Sequence, residues 1–397
     1  MKMKHVLTVI ICLIVLVAGS FAFNFWDRAA DDGVLKVGFV YAEDESTPYT
    51  RNFVQASRLL AEEFGDKVEI MSKSNVLSKD AEDPMLDLIR KGCRLLFINL
   101  DTEIPVKLAE EYPDVTFCHV SMPGISMEGK PANYHTFNGE IYQARYAAGI
   151  VAGMKLRELL DSGAILPQDA MVGYVAANDS AEVVSGYTAF LLGVRSVAPE
   201  AVMRVRETGT WSSYSLEKQR AKELIAEGCV IISQHTNTMA PAIACEEAAQ
   251  SGTRVYYVGY HQSMMDVAPS TALISLRSNW YPYIEGAVNA VLKHEVIEEY
   301  VSGNVHGRDM SAGFSDEWVQ MLELNRYVAA PGTEEKLNNV IKSFKSGRID
   351  VFKGNYTGVN VSDPNDTIDL RKGYTENADS SQPSFRYILK DYVILEN

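Results

Sequence analysis

The sequence predicts an α/β protein built from two similar layers of parallel strands and covering helices, and three observations carry that expectation. From Val34 onward, short β-rich apolar runs alternate with longer amphipathic stretches, the order expected of parallel strands joined by helices. One stretch returns: "LDLIRKGCRLLFINLDTEIPVKLAEE" (86–111) aligns with "KELIAEGCVIISQHTNTMAPAIACEE" (222–247), each reading helix, Gly-Cys, apolar strand, polar loop, Pro, helix. The chain has 397 residues, enough for about two or three domains. The two copies lie much further apart than solenoid repeats do, so two structurally similar lobes explain them best.

The elements follow in order. "LKVGFVYA" (35–42) is a strand, and "RNFVQASRLLAEEF" (51–64) a helix in which Phe53, Ala56, Leu60 and Phe64 recur at helical spacing. Strands "KVEIMSKS", "CRLLFINL" and "VTFCHVS" come next, with "EDPMLDLIRKG" as the helix between the first two. "YQARYAAGIVAGMKLRELL" and "AEVVSGYTAFLLGVRSV" are helices around the strand "AMVGYVAA"; "VMRVRETG" and the helix "LEKQRAKELIAEG" follow. Strands "CVIISQHT", "RVYYVGY" and "ALISLRS" precede the helix "PYIEGAVNAVLKH". Open parallel sheets bind ligands at the carboxyl ends of their strands. The loops "INLDTEIP" and "SQHTNTMAP" are then equivalent strand ends, facing each other across a cleft. "NYTGVNVSDPNDTIDLRKGYTENADSSQPSF" (355–385) is rich in Asp, Asn, Ser and Gly and reads as a surface extension with weak strands.

Hydrophobic residues make up 47% of the chain and charged ones 22%, ordinary for a packed globular protein. Lys plus Arg number 37 against 52 Asp plus Glu, a net charge of −15, which argues against a nucleic-acid groove. The N-terminus differs: Lys2 and Lys4 precede the uncharged run Val6 to Phe23, whose last part carries the small residues Ala18, Gly19, Ser20 and Ala22. That is the pattern of a secretory signal, and its apolar length also suits an uncleaved membrane anchor. Residues 1–30 are therefore expected to export the body or tether it. Lipid attachment at Cys12 is disfavoured, because no small residue precedes it at the cleavage position. Cys93, Cys118, Cys229 and Cys245 would allow two disulfides in an oxidising compartment, but their apolar settings favour free, buried thiols. No CxxC pair supports a zinc or redox site.

Enzyme signatures are missing: there is no GxSxG, HExxH or Walker A pattern, nor a GxGxxG opening a helix after a strand. The acid-rich "GVNVSDPND" and "DAEDPMLD" lack the calcium-loop pattern. No cofactor and no metal is expected.

Several segments together resemble the basic membrane protein family, the purine-nucleoside-receptor-like substrate-binding proteins of ABC transporters. They are "FNGEIYQARYAAGIVAG" (137–153), "GYVAA" (173–177), "AFLLGVRSVAPEA" (189–201), "ISQHTNTMAP", "YVGYHQSM" (257–264) and "SLRSNWYPYIEGAV" (275–288). The resemblance implies a type I periplasmic-binding-protein fold, two α/β lobes joined by three hinge crossings around a ligand. It implies lobe 1 at 35–138 plus 281–305 and lobe 2 at 139–277 plus 306–355, with hinges near 138, 278 and 306, then the extension 356–397. It also implies an extracytoplasmic, non-enzymatic protein that captures a purine nucleoside or nucleobase and delivers it to an ABC permease. A membrane-tethered ligand sensor of the same fold is the alternative; a secreted nucleoside hydrolase finds no catalytic constellation.

Purine binding needs flat apolar faces and polar groups at the ring edge. By resemblance, Tyr49 and Trp211 stack on the base; otherwise each is a packed or exposed loop residue. Asn237 and His261 stand where the family often keeps Asp, the second of which holds ribose hydroxyls. Both positions here have lost a charge-assisted acceptor. His235 lies in "QHT" at a strand end and is either a ligand contact or a satisfied loop residue. Asp101, its neighbour in the first-lobe copy, is either an acceptor for the ligand or a helix cap. Arg277, Ser278 and Trp280 lie on the expected hinge strand, where they reach the ligand or pack the hinge.

Overall fold

The computed structural model describes residues 33–121 and 126–396. The signal or anchor segment and Cys12 lie outside the described residues. Chain order through the first part is β1 (Leu35–Tyr41), α1 (Pro48–Phe64), β2 (Val68–Lys73), α2 (Glu82–Arg90), β3 (Leu95–Asn99), α3 (Ile104–Glu111), β4 (Thr116–Val120) and β5 (Tyr134–Gly139). There follow α4 (Ile141–Asp161), β6 (Met171–Ala176), α5 (Ala181–Arg195), β7 (Val202–Glu207), α6 (Tyr214–Ala226), β8 (Ile231–His235), α7 (Ala240–Gln250), β9 (Tyr256–Tyr260) and β10 (Ala272–Ser278). After α8 (Tyr281–Lys293) and α9 (Ile297–Tyr300), the chain makes β11 (Asn304–His306), β12 (Asp309–Ala312), β13 (Val319–Met321) and α10 (Thr333–Lys345). It ends with β14 (Thr357–Asn360), β15 (Asp363–Asp369), β16 (Tyr387–Leu389) and β17 (Val393–Glu396).

Two seven-stranded sheets organise these elements. The first runs β11-β12-β5-β4-β3-β1-β2 and the second β13-β10-β9-β8-β6-β7-β17. The strands β1 to β5 and β6 to β10 share one winding order, and the ladders within each set are parallel. Strands such as β3 and β8 are buried throughout, as parallel strands covered on both faces must be. In each sheet the order reverses at the middle, beside β1 and β3 or beside β6 and β8, and this is where an α/β crevice opens.

The internal repeat survives in detail. Gly92 and Gly228 both take positive φ, at 95° and 89°, after α2 and α6. Each lets the following cysteine amide reach back into its helix, Cys93 to the Leu88 carbonyl and Cys229 to that of Leu224, both at 3.1 Å. Cys93, Cys118, Cys229 and Cys245 are free and buried, and burial pushes the Cys93 thiol up to about 11 and that of Cys229 to about 12.

The chain leaves the first sheet after β5, which ends at Gly139, and the second after β10, which ends at Ser278. The third passage differs from expectation. Sheet membership keeps β12 beside β5, with Asp309 opposite Thr136, so the chain passes to the second sheet only after Ala312 instead of near 306. The expected boundary fell on the tight turn at Gly307, which only folds β11 back onto β12. The C-terminal extension carries more order than "weak strands" implies. Strands β14 to β16 form their own sheet, and β17 lies parallel to β7 at the edge of the second.

Candidate ligand site at the strand ends

Four strand ends converge on one cluster. Asn99 ends β3, His235 ends β8, Tyr260 ends β9 and Ser278 ends β10. Asn99 and His235 are the equivalent residues of the two repeats, each opposite the last residues of β1 or β6. Tyr49, at the start of α1, reaches the cluster from the first sheet. Its hydroxyl donates to Asn99 Oδ1 at 2.8 Å, and its ring lies 5.0 Å from that of His261. Further contacts between elements of the two sheets are the Gln55–Gln262 amide pair and Arg277 Nη1 donating to Gln55 Oε1 at 3.2 Å.

On the second sheet the rings form a column. His261 stacks on Tyr260 at 3.5 Å, and the Arg145 guanidinium from α4 lies 3.8 Å from the centroid of the Tyr260 ring. His235 meets the edge of Tyr260 at 5.1 Å and that of Trp211 at 6.0 Å. Its ring fits because residue 186 is glycine; a side chain there would collide with the imidazole. His261 adopts positive φ, 68°, and its Nε2 lies 3.2 Å from Asn237 Oδ1. Holding a bulky residue in the left-handed region costs roughly 1 kcal/mol or more, a strain found mostly at functional turns.

The electrostatics follow from burial. His235 and His261 are held well below the usual imidazole value, first by desolvation and then by the charge of Arg145, so both rings are neutral. The Glu182 carboxyl, in the first turn of α5, is pushed up to about 6 by the same burial, partly offset by Arg145. Several buried polar atoms have no protein partner among the described residues: Arg145 Nε and Nη2, both His235 ring nitrogens, His261 Nδ1, Asn99 Nδ2 and Ser180 Oγ. Buried polar groups are nearly always satisfied, so this grouping sets the cluster apart as the candidate site. No group of three or more His, Cys, Asp or Glu among the described residues could hold a metal ion.

The sequence profile of the PnrA-like ABC transporter substrate-binding proteins, Bmp, matches residues 39–353. The chain belongs to this family. Family members are solute-binding components of transporters rather than enzymes. Among curated relatives, a purine-binding protein of Brucella abortus is 29% identical over 325 residues, 81% of this chain and 83% of the relative. A Haloferax volcanii protein bearing the name of an ABC transporter glucose-binding protein is 30% identical over 234 residues, 58% of this chain and 53% of its own. A crystal structure of an ABC transporter solute-binding protein from Aeropyrum pernix superposes with a TM-score of 0.64 at 16% identity, covering 79% of this chain and 92% of that one. The type I periplasmic-binding-protein fold is thereby shared.

Of the residues singled out in the sequence of this Bmp-family chain, Tyr49, Trp211, His235, Asn237 and His261 come together. Trp211 sits at the rim, 37% exposed, and its carbonyl accepts from the Asn237 amide at 2.8 Å. Asp101 does not join: it is exposed, and it has no hydrogen bond or ring contact with the cluster among the described residues. Asn99, two residues earlier, occupies the position facing the cleft. Arg277 is spent on Gln320 Oε1 and Gln55 Oε1. Ser278 offers its carbonyl to Asn52 Nδ2 at 2.6 Å, and Trp280 stacks on Phe53 at 4.4 Å with Phe137 at its edge. Trp280 also meets the Tyr49 ring edge-on at 6.4 Å, and its buried Nε1 has no protein partner among the described residues, so it borders the cluster while Arg277 and Ser278 pack the crossing. Sequence reasoning missed Asn99, Arg145, Glu182 and Tyr260. A lone arginine amid the small residues of "YQARYAAG" was the available signal for Arg145, and an acid just after the strand-end loop "AANDS" for Glu182.

Proposed function

We propose that this protein is the extracytoplasmic binding component of an ABC importer, closing two lobes over a purine nucleoside or nucleobase and presenting it to the permease. In this reading lobe 1 comprises 35–139 with 279–312, lobe 2 comprises 140–278 with 313–353, and the stretches between them are hinges. One observation carries the reading: aromatic faces from both sheets meet at the strand ends, Tyr49 against His261 with Trp211 at the rim, around polar atoms that lack protein partners. Flat rings beside a few unsatisfied donors suit a planar heterocycle with polar edges. The named purine binding of the Brucella relative supports this choice, and the glucose named for the Haloferax protein sets the competing ligand. Hinge closure would exclude water and create the surface a permease recognises. No helix among the described residues is long and apolar enough to cross a membrane; attachment, in this reading, is a matter for residues 1–30.

A thermal-shift series with inosine, adenosine, guanosine, hypoxanthine, ribose and glucose tests the ligand class. A ligand in hundredfold excess over Kd stabilises by about 2.7 kcal/mol, so a purine should raise Tm by several degrees. A shift with glucose and none with any purine would leave the fold and sink the purine assignment.

A further inference from the structure

We propose that Glu182 is a specificity-determining residue of this cleft, a carboxylate that accepts hydrogen bonds from a pair of neighbouring hydroxyls on a neutral ligand; the proposal rests on the ligand-capture reading above. Four observations support it. Glu182 stands in the first turn of α5, beside the carboxyl end of β6 at the second sheet's crevice. Its side chain is enclosed on most sides yet 27% exposed, and it accepts no hydrogen bond from any described residue. Its Oε1 lies 3.7 Å from His235 Nε2, a neutral ring nitrogen that is itself unpartnered. The hydroxyl of Ser180, the residue capping the same helix, is also buried without a partner.

The choice of ligand chemistry follows from charge. A lone carboxylate in a cleft would favour a cation, but Arg145 is permanently protonated and close enough to lower the Glu182 pKa. Together they cancel, so a cationic ligand gains little and a neutral donor gains a charge-assisted hydrogen bond. Two carboxylate oxygens side by side match two adjacent O–H donors. The neutral His235 adds one donor and one acceptor at the same place. Sequence comparison pointed instead to Asn237 and His261 as the weakened acceptor positions; the structure supplies an acid from a different element.

The test compares wild type with Glu182→Gln, folding being checked by Tm, using inosine and 2′,3′-dideoxyinosine by calorimetry. Wild type should bind inosine more tightly than the dideoxy compound. Glu182→Gln should lose about 10- to 100-fold for inosine, the worth of hydrogen bonds to a charged group, with little change for dideoxyinosine. Inosine affinity of wild type should also weaken as pH falls through about 6, where Glu182 takes up its proton, while the variant stays flat. The groups facing Glu182 do not confuse this window: Tyr49 and Tyr260 stay neutral far above it, His235 and His261 below it, and Arg145 stays charged. Equal inosine affinity in the two proteins overturns the role of Glu182 and leaves the purine reading standing. Equal losses for both nucleosides overturn it too. If wild type ignores inosine but binds glucose in a Glu182-dependent way, the purine reading falls and the hydroxyl-reading carboxylate stands. Failure with every hydroxylated probe overturns both.

Discussion

His119 is the clearest residue-scale statement the fold makes about pH. Its ring is fully buried, Nε2 donating to the Leu100 carbonyl at 2.7 Å and Nδ1 accepting from the Tyr134 hydroxyl at 2.8 Å, which fixes a neutral tautomer. Desolvation lowers its pKa from 6.5 to about 4. The unfolded chain therefore binds this proton before the folded one does, so the contribution is complete above pH 6.5 and is lost as pH falls toward 4. Between pH 7 and 5, His119 should account for about 2 kcal/mol of lost stability. Urea unfolding of His119→Gln at both pH values checks this. The variant is less stable at pH 7 but should decline less on acidification, and parallel declines would refute the assignment. At this scale the sequence was only partly legible. Trp211, His235 and Asn237 could be placed because they follow a recognisable strand into a polar loop. Asn99 and Asp101 are two residues apart and would share a face in extended backbone, so the point where β3 ends, at Asn99, decides which of them reaches the cleft, and no local pattern fixes that point. Arg145 and Glu182 lie on helices whose rotation about their axes is set by packing that no local pattern reveals.

At the scale of elements, the α4–α5 crossing depends on two missing side chains. Gly149 faces the Phe190 carbonyl and Gly193 faces that of Tyr146, so an added methyl at either position would run into backbone oxygen. Backbone cannot swing aside as a side chain can, so the helices would have to part. This crossing also positions Arg145 on one helix and Glu182 on the other, which ties packing to the site. Gly193→Ala should cost about 1–3 kcal/mol, the range of overpacked cores, despite alanine's higher helix propensity. It should weaken ligand binding as well. Chemical denaturation gives the first number and calorimetry the second; a Gly193→Ala protein as stable as wild type would mean that the helices are not held at this distance. The helices themselves were readable from "YQARYAAGIVAG" and "AEVVSGYTAFLLGV", but their contact was not, because small residues in a helix signal close approach without naming the partner.

At the scale of the molecule, the C-terminal extension joins what the crossings separate. One end of it is fixed to the first sheet. Asp309 on β12 accepts Ser121 Oγ at 3.2 Å and Thr136 Oγ1 at 2.8 Å on Oδ1, and Ser380 Oγ at 3.0 Å and the Ser381 amide at 2.7 Å on Oδ2. The other end belongs to the second sheet: Phe385 stacks on Phe352 at 3.9 Å, Thr188 of α5 donates to the Tyr387 carbonyl, and β17 extends the sheet beside β7. The sequence showed only an extension with weak strands and not these attachments, since the family profile stops at residue 353 and Leu370, Phe385 and Leu389, which enter the core, are scattered among turn-forming residues. Replacing Asp309 by Ala would strand two hydroxyls from the first sheet and two donors from the extension in a buried place. Leaving buried donors unmade costs about 1–3 kcal/mol apiece, with some relief from rearrangement, so a loss of about 2–4 kcal/mol is expected. Asp309→Asn keeps one acceptor and should fall between. The distinguishing measurement is hydrogen exchange at the Ser381 amide, which should lose protection in Asp309→Ala while the amides of β8 keep theirs relative to the new global stability. Should Ser381 stay protected, Asp309 would be a local anchor of β12, and the extension would owe its position to the second sheet alone.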